Sequence, residues 1–203
     1  MKLVIIDYGM GNIKSIFSSF KYLGVKEIVV SNKKKDIESA DKLLLPGVGS
    51  FNQAMENIKN TGLENYLKEE VLINKKPILG ICLGMQLLGK YSEEDGLSNG
   101  LNYIDGECKK FNTENLKVPH VGFNQVKVNT NSKLFHNIEN KSDFYFTHSY
   151  RMQSNVNICQ STCNYGDDFI VAYENNNILG VQFHPELSQT NGLALLNNFI
   201  EKF

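Results

Sequence analysis

The first 81 residues alternate between short apolar runs and longer amphipathic ones, and this alternation constrains the fold most strongly. Lys2–Ile6, KLVII, is typical of a buried strand, and Ile13–Leu23 has the spacing of an amphipathic helix that ends before Gly24. Further strands are predicted at Lys26–Ser31, Asp41–Pro46 and Pro77–Ile81, and further helices at Phe51–Lys59 and Leu63–Ile73. Strands that alternate with helices form parallel βαβ units, so we expect an α/β fold.

The pattern changes after Asn99, where short β-leaning segments follow one another. We interpret five of them as strands: Tyr103–Phe111, Gln125–Val128, Phe144–Thr147, Phe169–Tyr173 and Ile178–Phe183. A final helix is predicted over Thr190–Phe203. Because no linker or repeat interrupts the chain, we expect one domain over residues 1–203. Its central, mostly parallel sheet should be flanked by helices, with a β-rich C-terminal half.

Charge and cysteine content narrow the functional class. A net charge of −1 gives no bulk attraction to nucleic acid or to an anionic membrane, and Lys33–Lys35 is interpreted as a solvated loop or helix start. No apolar run approaches the roughly 20 residues of a membrane span, and the N-terminus lacks a signal-peptide pattern. Four cysteines are too few for a disulfide framework, and the spacing of Cys159 and Cys163 does not suit a zinc site. We therefore expect a cytoplasmic protein.

The first candidate site is Gly80–Gly84, which has the pattern G-x-C-x-G between a predicted strand and a predicted helix. This is the cysteine counterpart of the nucleophile elbow, in which glycines permit a strained turn and close backbone approach. Cys82 would then lie at a helix N-terminus, which favours a thiolate. The N–H of Leu83 would be placed to stabilise an oxyanion. The competing interpretation is a buried cysteine with glycines for tight packing.

The second candidate site is the loop Pro46–Phe51, PGVGSF, which follows the third predicted strand. Its glycines would let backbone amides approach a ligand, and one amide could serve as a second oxyanion donor. An ordinary strand-to-helix turn with Ser50 as N-cap explains the loop equally well.

The third candidate site is Gly180–Ser188, GVQFHPELS. His184 and Glu186 are two residues apart, so on an extended segment they project to the same side. Glu186 would then orient the imidazole while His184 serves Cys82 as a base. A lone histidine is usually structural, but here three candidate sites all occur at strand ends.

Taken together, PGVGSF, GICLGMQLL and GVQFHPE resemble the class I, or triad, glutamine amidotransferases, whose sheet is flavodoxin-like. The motifs DYGMGN (Asp7–Asn12), VPHVGFN (Val118–Asn124) and FTHSY (Phe146–Tyr150) are most similar to the glutaminase subunits of imidazole glycerol phosphate synthases. The resemblance extends from about residue 3 to the end, with every motif in family order.

The resemblance implies a role for each matching residue. Cys82 would attack the glutamine carboxamide, with the oxyanion held by the N–H groups of Val48 and Leu83. His184 would protonate the departing ammonia and activate water, held in place by Glu186. The residues expected to bind glutamine are Gly47, Gly49, Gln86, His148, Ser149 and Tyr150. No metal or organic cofactor is needed for this chemistry.

The resemblance also implies a partner, because released ammonia becomes unreactive ammonium at neutral pH. In the family the partner is a (β/α)₈ cyclase of histidine biosynthesis, and the expected heterodimer would involve Pro119, His120, Phe123, Asn124 and Leu187. The family usually carries Lys where this chain has Leu187, and commonly Trp where it has Phe123. A related subunit that supplies ammonia to a sugar amidotransferase of surface-glycan synthesis therefore stays open as an alternative.

Three rival classes are less well supported by the sequence. DYGMGN lacks the third glycine of a dinucleotide-binding loop, since Lys14 stands at that position. A stand-alone cysteine peptidase or esterase could use the Cys82 elbow, but it would not need PGVGSF. A binding module without catalysis would be expected to lose Cys82, His184 or Glu186, and all three are present.

Overall fold

A computed structural model describes residues 1–111 and 116–203. Its α-helices are α1 (Ile13–Tyr22), α2 (Lys34–Glu38), α3 (Phe51–Asn60), α4 (Leu63–Lys68), α5 (Leu83–Leu87) and α6 (Gln189–Lys202). Glu69–Ile73 continues α4 as a π-helical turn, and Pro185–Leu187 forms a single 3₁₀ turn. None of the helices in the described ranges has the length and apolarity needed to cross a membrane.

Thirteen strands are present in the described residues. In the first half they are β1 (Lys2–Ile6), β2 (Glu27–Ser31), β3 (Lys42–Leu45), β4 (Ile78–Ile81), β5 (Tyr91–Ser92) and β6 (Ser98–Asn99). In the second half they are β7 (Glu107–Lys110), β8 (His120–Val126), β9 (Ser142–His148), β10 (Tyr150–Gln153), β11 (Ser161–Tyr165), β12 (Asp167–Asn175) and β13 (Ile178–Val181).

The main sheet begins with five parallel strands in the order β2-β1-β3-β4-β13. With β13 counted as the fifth strand, this is the 2-1-3-4-5 order of flavodoxin-like sheets, which bind ligands beyond the carboxyl ends of the strands. Strands β4 and β13 are neighbours, and Ile81 is paired with Val181. Residues that follow these two strands therefore emerge side by side. The predicted fold class is confirmed.

The rest of the main sheet is largely antiparallel and continues through β12, β10, β7, β5 and β6, with β11 paired to β12. Strands β8 and β9 form a separate two-stranded unit, which we call the ribbon (His120–Val126 with Ser142–His148). Strands β5, β6, β10 and β11 were not predicted from the sequence, because they lack a long apolar alternation. The predicted start of β7 at Tyr103 was too early, since the strand begins at Glu107, and the predicted start of β8 at Gln125 was too late, since it begins at His120.

Both faces of β1, β3, β4 and β13 are buried, which explains why these strands are nearly continuous apolar runs, whereas β2 at the edge is partly exposed. In β1, Leu3 and Ile5 pack in one core cluster together with residues of α1 and α6. Val4 and Ile6 face the opposite cluster, where α3 and α4 cover the sheet. The sheet is thus a rigid layer from whose edge the candidate site residues project.

Candidate active site

Cys82 lies on a strained turn between β4 and α5, with φ 53° and ψ −110°. A non-glycine residue in such a conformation costs on the order of 1–3 kcal/mol and requires support from its surroundings. Here the flanking glycines provide that support by allowing close packing. A Cβ on Gly84 would lie 1.8 Å from the carbonyl oxygen of Leu45, and one on Gly80 would lie 2.7 Å from backbone atoms of Gly84. The expected reason for both glycines is confirmed.

The loop after β3 packs directly on this turn. A Cβ on Gly47 would lie 2.6 Å from the Tyr8 hydroxyl oxygen and 2.8 Å from Cβ of Leu83. Tyr8 also donates a hydrogen bond of 2.6 Å to the Pro46 carbonyl, so the loop after β1 fixes the loop after β3. Gly49 has φ +102°, a conformation that favours glycine.

The start of α3 differs from the sequence interpretation, whereas the start of α5 agrees with it. Ser50 occupies the N-cap position of α3 without a capping hydrogen bond from its side chain. The N–H of Phe51 donates instead to a carboxylate oxygen of Glu94, at 3.0 Å. Leu83 is the first residue of α5, so its N–H has no intrahelical acceptor and is free for a ligand.

His184 and Glu186 are paired through Nδ1 and Oε1 at 2.9 Å. The sequence predicted an extended segment here. Only His184 is extended, because Glu186 lies in the 3₁₀ turn Pro185–Leu187. The turn brings the carboxylate back to the ring, and both side chains are almost completely buried. The tight fit requires Gly192, where a Cβ would lie 1.9 Å from the Pro185 carbonyl oxygen.

The second ring nitrogen of His184, Nε2, is buried and makes no well-aligned hydrogen bond within residues 1–111 and 116–203. Burial by itself lowers the pKa of His184. Hydrogen bonding to Cys82 and to Glu186 outweighs burial and raises the pKa to about 10. A ring with so high a pKa is charged at neutral pH, and a charged ring can give a proton to a leaving group.

The His184 turn is anchored to the ribbon. The N–H of His184 donates to the Tyr145 carbonyl at 2.9 Å. The Ser188 hydroxyl donates to the His184 carbonyl at 2.6 Å and accepts the N–H of Tyr145 at 2.9 Å. Ser188 belongs to the quoted motif GVQFHPELS, but its role could not be inferred without knowing that β9 lies beside the turn.

Cys82 opens onto a cleft of about 340 Å³. Of the residues predicted for catalysis or glutamine binding, those that line it are Val48, Gly49, Cys82, Leu83, Gln86, His148, Ser149 and Tyr150. Gly47, His184 and Glu186 lie outside the lining, because Gly47 and His184 are buried and Glu186 borders a separate groove beside α1 and α6. Pro119, predicted for the partner surface, also lines the cleft, as do Glu94 and Thr147, which sequence analysis missed.

Comparison with known proteins decides the family. The model of the family described as "Glutamine amidotransferase class-I" matches residues 4–203. The chain belongs to this family. No group of three His, Cys, Asp or Glu side chains suited to a metal ion occurs in the described part of this amidotransferase.

The amidotransferase is similar over nearly its full length to curated relatives. Imidazole glycerol phosphate synthase subunit HisH 1 of Campylobacter jejuni strain RM1221 is 46% identical over 199 residues, 98% of each chain. Subunit HisH 2 of Pseudomonas aeruginosa PAO1 is 43% identical over 201 residues, also 98% of each chain. These relatives share nearly the whole length of this chain.

Solved structures support the fold. A crystal structure of a glutamine amidotransferase superposes with a TM-score of 0.72 at 18% identity, covering 98% of this chain and 97% of that one. A second glutamine amidotransferase, from Thermotoga maritima, gives 0.70 at 16% identity and covers 100% and 97%. At these identities the likeness concerns the fold alone.

The residues predicted to contact a partner divide into two groups in this amidotransferase. The side chains of Phe123 and Leu187 are 51% and 42% exposed. His120, in contrast, is buried, stacked on Tyr165 and Phe146 with ring centroids 4.0 and 4.8 Å away. The side chain of His120 therefore points into the protein and not toward a partner.

Proposed function

We propose that this chain hydrolyses glutamine to glutamate and ammonia and passes the ammonia to a (β/α)₈ cyclase in histidine biosynthesis. The observation that carries the proposal is a strained cysteine, Cys82, in a cleft of amino-acid size, together with the paired His184 and Glu186. The assignment to histidine biosynthesis is supported by the relatives, which are named as imidazole glycerol phosphate synthase subunits. The amidotransferase domain would comprise residues 1–203.

In the first half of the reaction, the Cys82 sulfur attacks the side-chain carbonyl carbon of glutamine. The carbonyl oxygen becomes an oxyanion, which the N–H groups of Val48 and Leu83 stabilise. The imidazolium of His184 then protonates the nitrogen, the carbon–nitrogen bond breaks, and ammonia leaves a glutamyl thioester on the sulfur. Gly49, Gln86 and the segment His148–Tyr150 hold the substrate.

In the second half, neutral His184 takes a proton from water, and the resulting hydroxide attacks the thioester carbon. The carbon–sulfur bond breaks, so glutamate is released and the Cys82 thiolate is regenerated beside an imidazolium. Glu186 keeps its hydrogen bond to the ring and stabilises that charge. Each proton taken up by the ring is returned within one cycle.

The need for a partner follows from the product. Ammonia released to water at neutral pH is mostly ammonium, which is not a nucleophile, so a protected transfer is required. Val121, Phe123 and Leu187 are apolar and exposed, as expected of a surface that is covered in a complex. The four free cysteines suit a reducing compartment, and we place the reaction in the cytoplasm.

A sugar amidotransferase is the second candidate partner. It is favoured by the exposed Leu187 and Phe123 at positions where the family usually carries Lys and Trp. With Leu187 in place of Lys, an interfacial ion pair would be absent, and with Phe123 in place of Trp, the aromatic anchor would be smaller. A matching partner surface would therefore need a different charge and shape. A stand-alone cysteine hydrolase is a lesser alternative, because it would need no acceptor.

The test uses the complex with the cognate cyclase. Cys82→Ser should abolish glutamine-dependent synthesis of imidazole glycerol phosphate while ammonium-dependent synthesis persists. Cys163→Ser, at a buried cysteine outside the cleft, is the matched control and should retain both activities. Retained glutamine hydrolysis in Cys82→Ser would remove the nucleophile assignment.

A genetic test separates the two partners. A histidine auxotroph that lacks this subunit and expresses the cognate cyclase should grow when it receives this chain. Failure to grow despite folded protein would favour the sugar pathway.

A further inference from the structure

The carbonyl oxygen of Tyr150 accepts two hydrogen bonds at the edge of the cleft. One comes from Nδ1 of His148 at 2.8 Å and the other from Nε2 of Gln86 at 3.1 Å. A carbonyl oxygen can only accept, so both nitrogens carry hydrogen. His148 is therefore protonated on Nδ1, and the amide of Gln86 has one possible orientation.

A first chain of hydrogen bonds leads from His148 to the ribbon surface. With Nδ1 protonated in a neutral ring, Nε2 of His148 accepts, and its partner is Nδ1 of His120 at 3.1 Å. Nε2 of His120 then accepts from the Asn124 amide at 3.3 Å. Asn124 confirms this direction independently, because its nitrogen also donates to the Asn164 carbonyl and its oxygen accepts the N–H of Gln125.

A second chain leads from Gln86 to the nucleophile. Nε2 of Gln86 also donates to Oε1 of Gln182, at 2.9 Å. The amide nitrogen of Gln182 must then point the other way, and it lies 3.7 Å from the Cys82 sulfur. Gln182 is completely buried, so no competing contact with bulk water disturbs this orientation.

We propose that Gln182 donates a hydrogen bond that stabilises the Cys82 thiolate, and that the Tyr150 carbonyl, held by the His120–His148 pair, fixes the orientation of that donor. The inference deepens the proposed glutaminase function and rests on it. Gln182 contacts the reacting atom, whereas His120 and His148 are positioning residues. The role of His120 is therefore internal, in agreement with its burial.

Protonation of either histidine would break the first chain, because a donor would then face a donor. Burial lowers the pKa of His120 to about 4 and that of His148 to about 3, so both rings are neutral at physiological pH. The titratable side chains that line the cleft with Cys82 are Glu94, His148 and Tyr150; Tyr8 and His184 lie nearby, and Glu186 is paired with His184. Of these, only His184 is expected to be cationic.

The first test needs no variant and no substrate. In ¹⁵N-labelled protein at neutral pH, imidazole nitrogen resonances report which ring nitrogen carries the proton. His120 and His148 should both be in the Nδ1–H form, whereas free histidine prefers Nε2–H. An Nε2–H form at either residue would overturn the proposal.

The second test measures the thiolate. In Gln182→Met, alkylation of Cys82 by iodoacetamide at pH 7, followed by mass spectrometry of its peptide, should be at least about tenfold slower. Gln153→Met is the matched control, since Gln153 is exposed at the end of β10, and it should react at the wild-type rate. A wild-type rate in folded Gln182→Met would overturn the proposal.

If Gln182→Met does not fold, the same contact is measured in the wild-type chain. The side-chain amide resonance of Gln182 should shift as Cys82 ionises, and the shift should disappear in Cys82→Ala. An amide chemical shift that stays constant as Cys82 ionises would overturn the proposal.

The third test isolates His120. His120→Asn keeps a donor near the Nδ1 position and should retain most of the Cys82 alkylation rate, whereas His120→Leu should lower it several-fold. Equal rates in the two variants would assign His120 a packing role alone. These readouts use no glutamine, so they remain valid if the proposed function fails, and a failure here leaves glutamine hydrolysis to be judged separately.

Discussion

Two glycines, one beside the nucleophile and one in the ribbon, differ in what surrounds them. A Cβ on Gly84, next to the nucleophile, would lie 1.8 Å from the Leu45 carbonyl oxygen. A Cβ on Gly122, in the ribbon, would meet no atom of the described residues within 4 Å, and that glycine is needed only for its φ of +127°. The turn that carries Cys82 is therefore held by close backbone packing, which excludes a side chain at position 84.

The ribbon holds its residues by hydrogen bonds and ring contacts, and part of it stays exposed. His120 is enclosed by Phe146 and Tyr165, whereas Val121 and Phe123 are 56% and 51% exposed. The turn that carries Cys82 is thus held by packing within this chain. The ribbon side contributes to the same cleft while offering a surface that a partner can cover.

The largest effect is expected for a variant of His184, which follows the parallel strand β13, and it tests whether the reactive groups lie at the ends of the parallel strands. His184→Ala should lower glutamine turnover by several orders of magnitude, because members of a catalytic triad act as a unit. His136→Ala, at an exposed histidine, is the matched control and should leave turnover unchanged. Steady-state kinetics of the complex would measure both. Near-normal turnover in His184→Ala would make the His184–Glu186 pair structural.

The second prediction tests steric exclusion directly. Gly84→Ala should lower the free energy of unfolding by at least about 3 kcal/mol, because its new Cβ meets backbone that cannot move aside cheaply. Gly122→Ala should cost only about 1 kcal/mol, for conformational reasons. Urea denaturation of both variants measures the difference. Equal costs would contradict the contrast between the two sides.

The third prediction concerns pH. The pKa of His120 is about 4 in the folded chain, below its ordinary 6.5, so the unfolded chain takes up the proton first as the pH falls. Acid should therefore destabilise the protein from about pH 6.5 toward pH 4. His120→Asn should reduce this loss by about 1–2 kcal/mol between pH 7 and 5.

The contribution of His184 to the pH dependence of stability has the opposite sign to that of His120. Its folded pKa of about 10 exceeds 6.5, so its contribution is fully present below pH 6.5 and is lost as the pH rises toward 10. His120→Asn should leave this alkaline part of the stability profile unchanged, as measured by urea denaturation across pH. A change confined to the alkaline part would contradict the assignment.

The smallest expected effect tests the exposed part of the ribbon. Phe123→Ala should change the free energy of unfolding by no more than about 0.5 kcal/mol, because half of the side chain is already in water. Its affinity for the partner should fall about tenfold or more if Phe123 is an aromatic anchor. Calorimetric titration with the cyclase measures this. An unchanged affinity would place the interface elsewhere.

The elbow could be predicted from the sequence because its requirements are local. Gly80, Cys82 and Gly84 are close in the chain, and the apolar run before them marks a strand. The same holds for His184 and Glu186, although the 3₁₀ turn that joins them was not foreseen. Short spacing limits the geometry before the fold is known.

The ribbon side could not be predicted in the same way. His120 is paired with His148, 28 residues away, and neither apolar alternation nor a turn motif indicates that register. The contact of Glu94 with the N–H of Phe51 likewise depends on a loop 43 residues further on. Such contacts arise from packing of the whole chain, so a pattern within one segment does not contain them.

The positive φ of Cys82 also has an evolutionary consequence. Glycine adopts this conformation without strain, and a cysteine codon becomes a glycine codon by one nucleotide change. In a copy of this gene released from catalysis, the substitution Cys82→Gly would therefore relieve the backbone strain of this turn while removing the nucleophile.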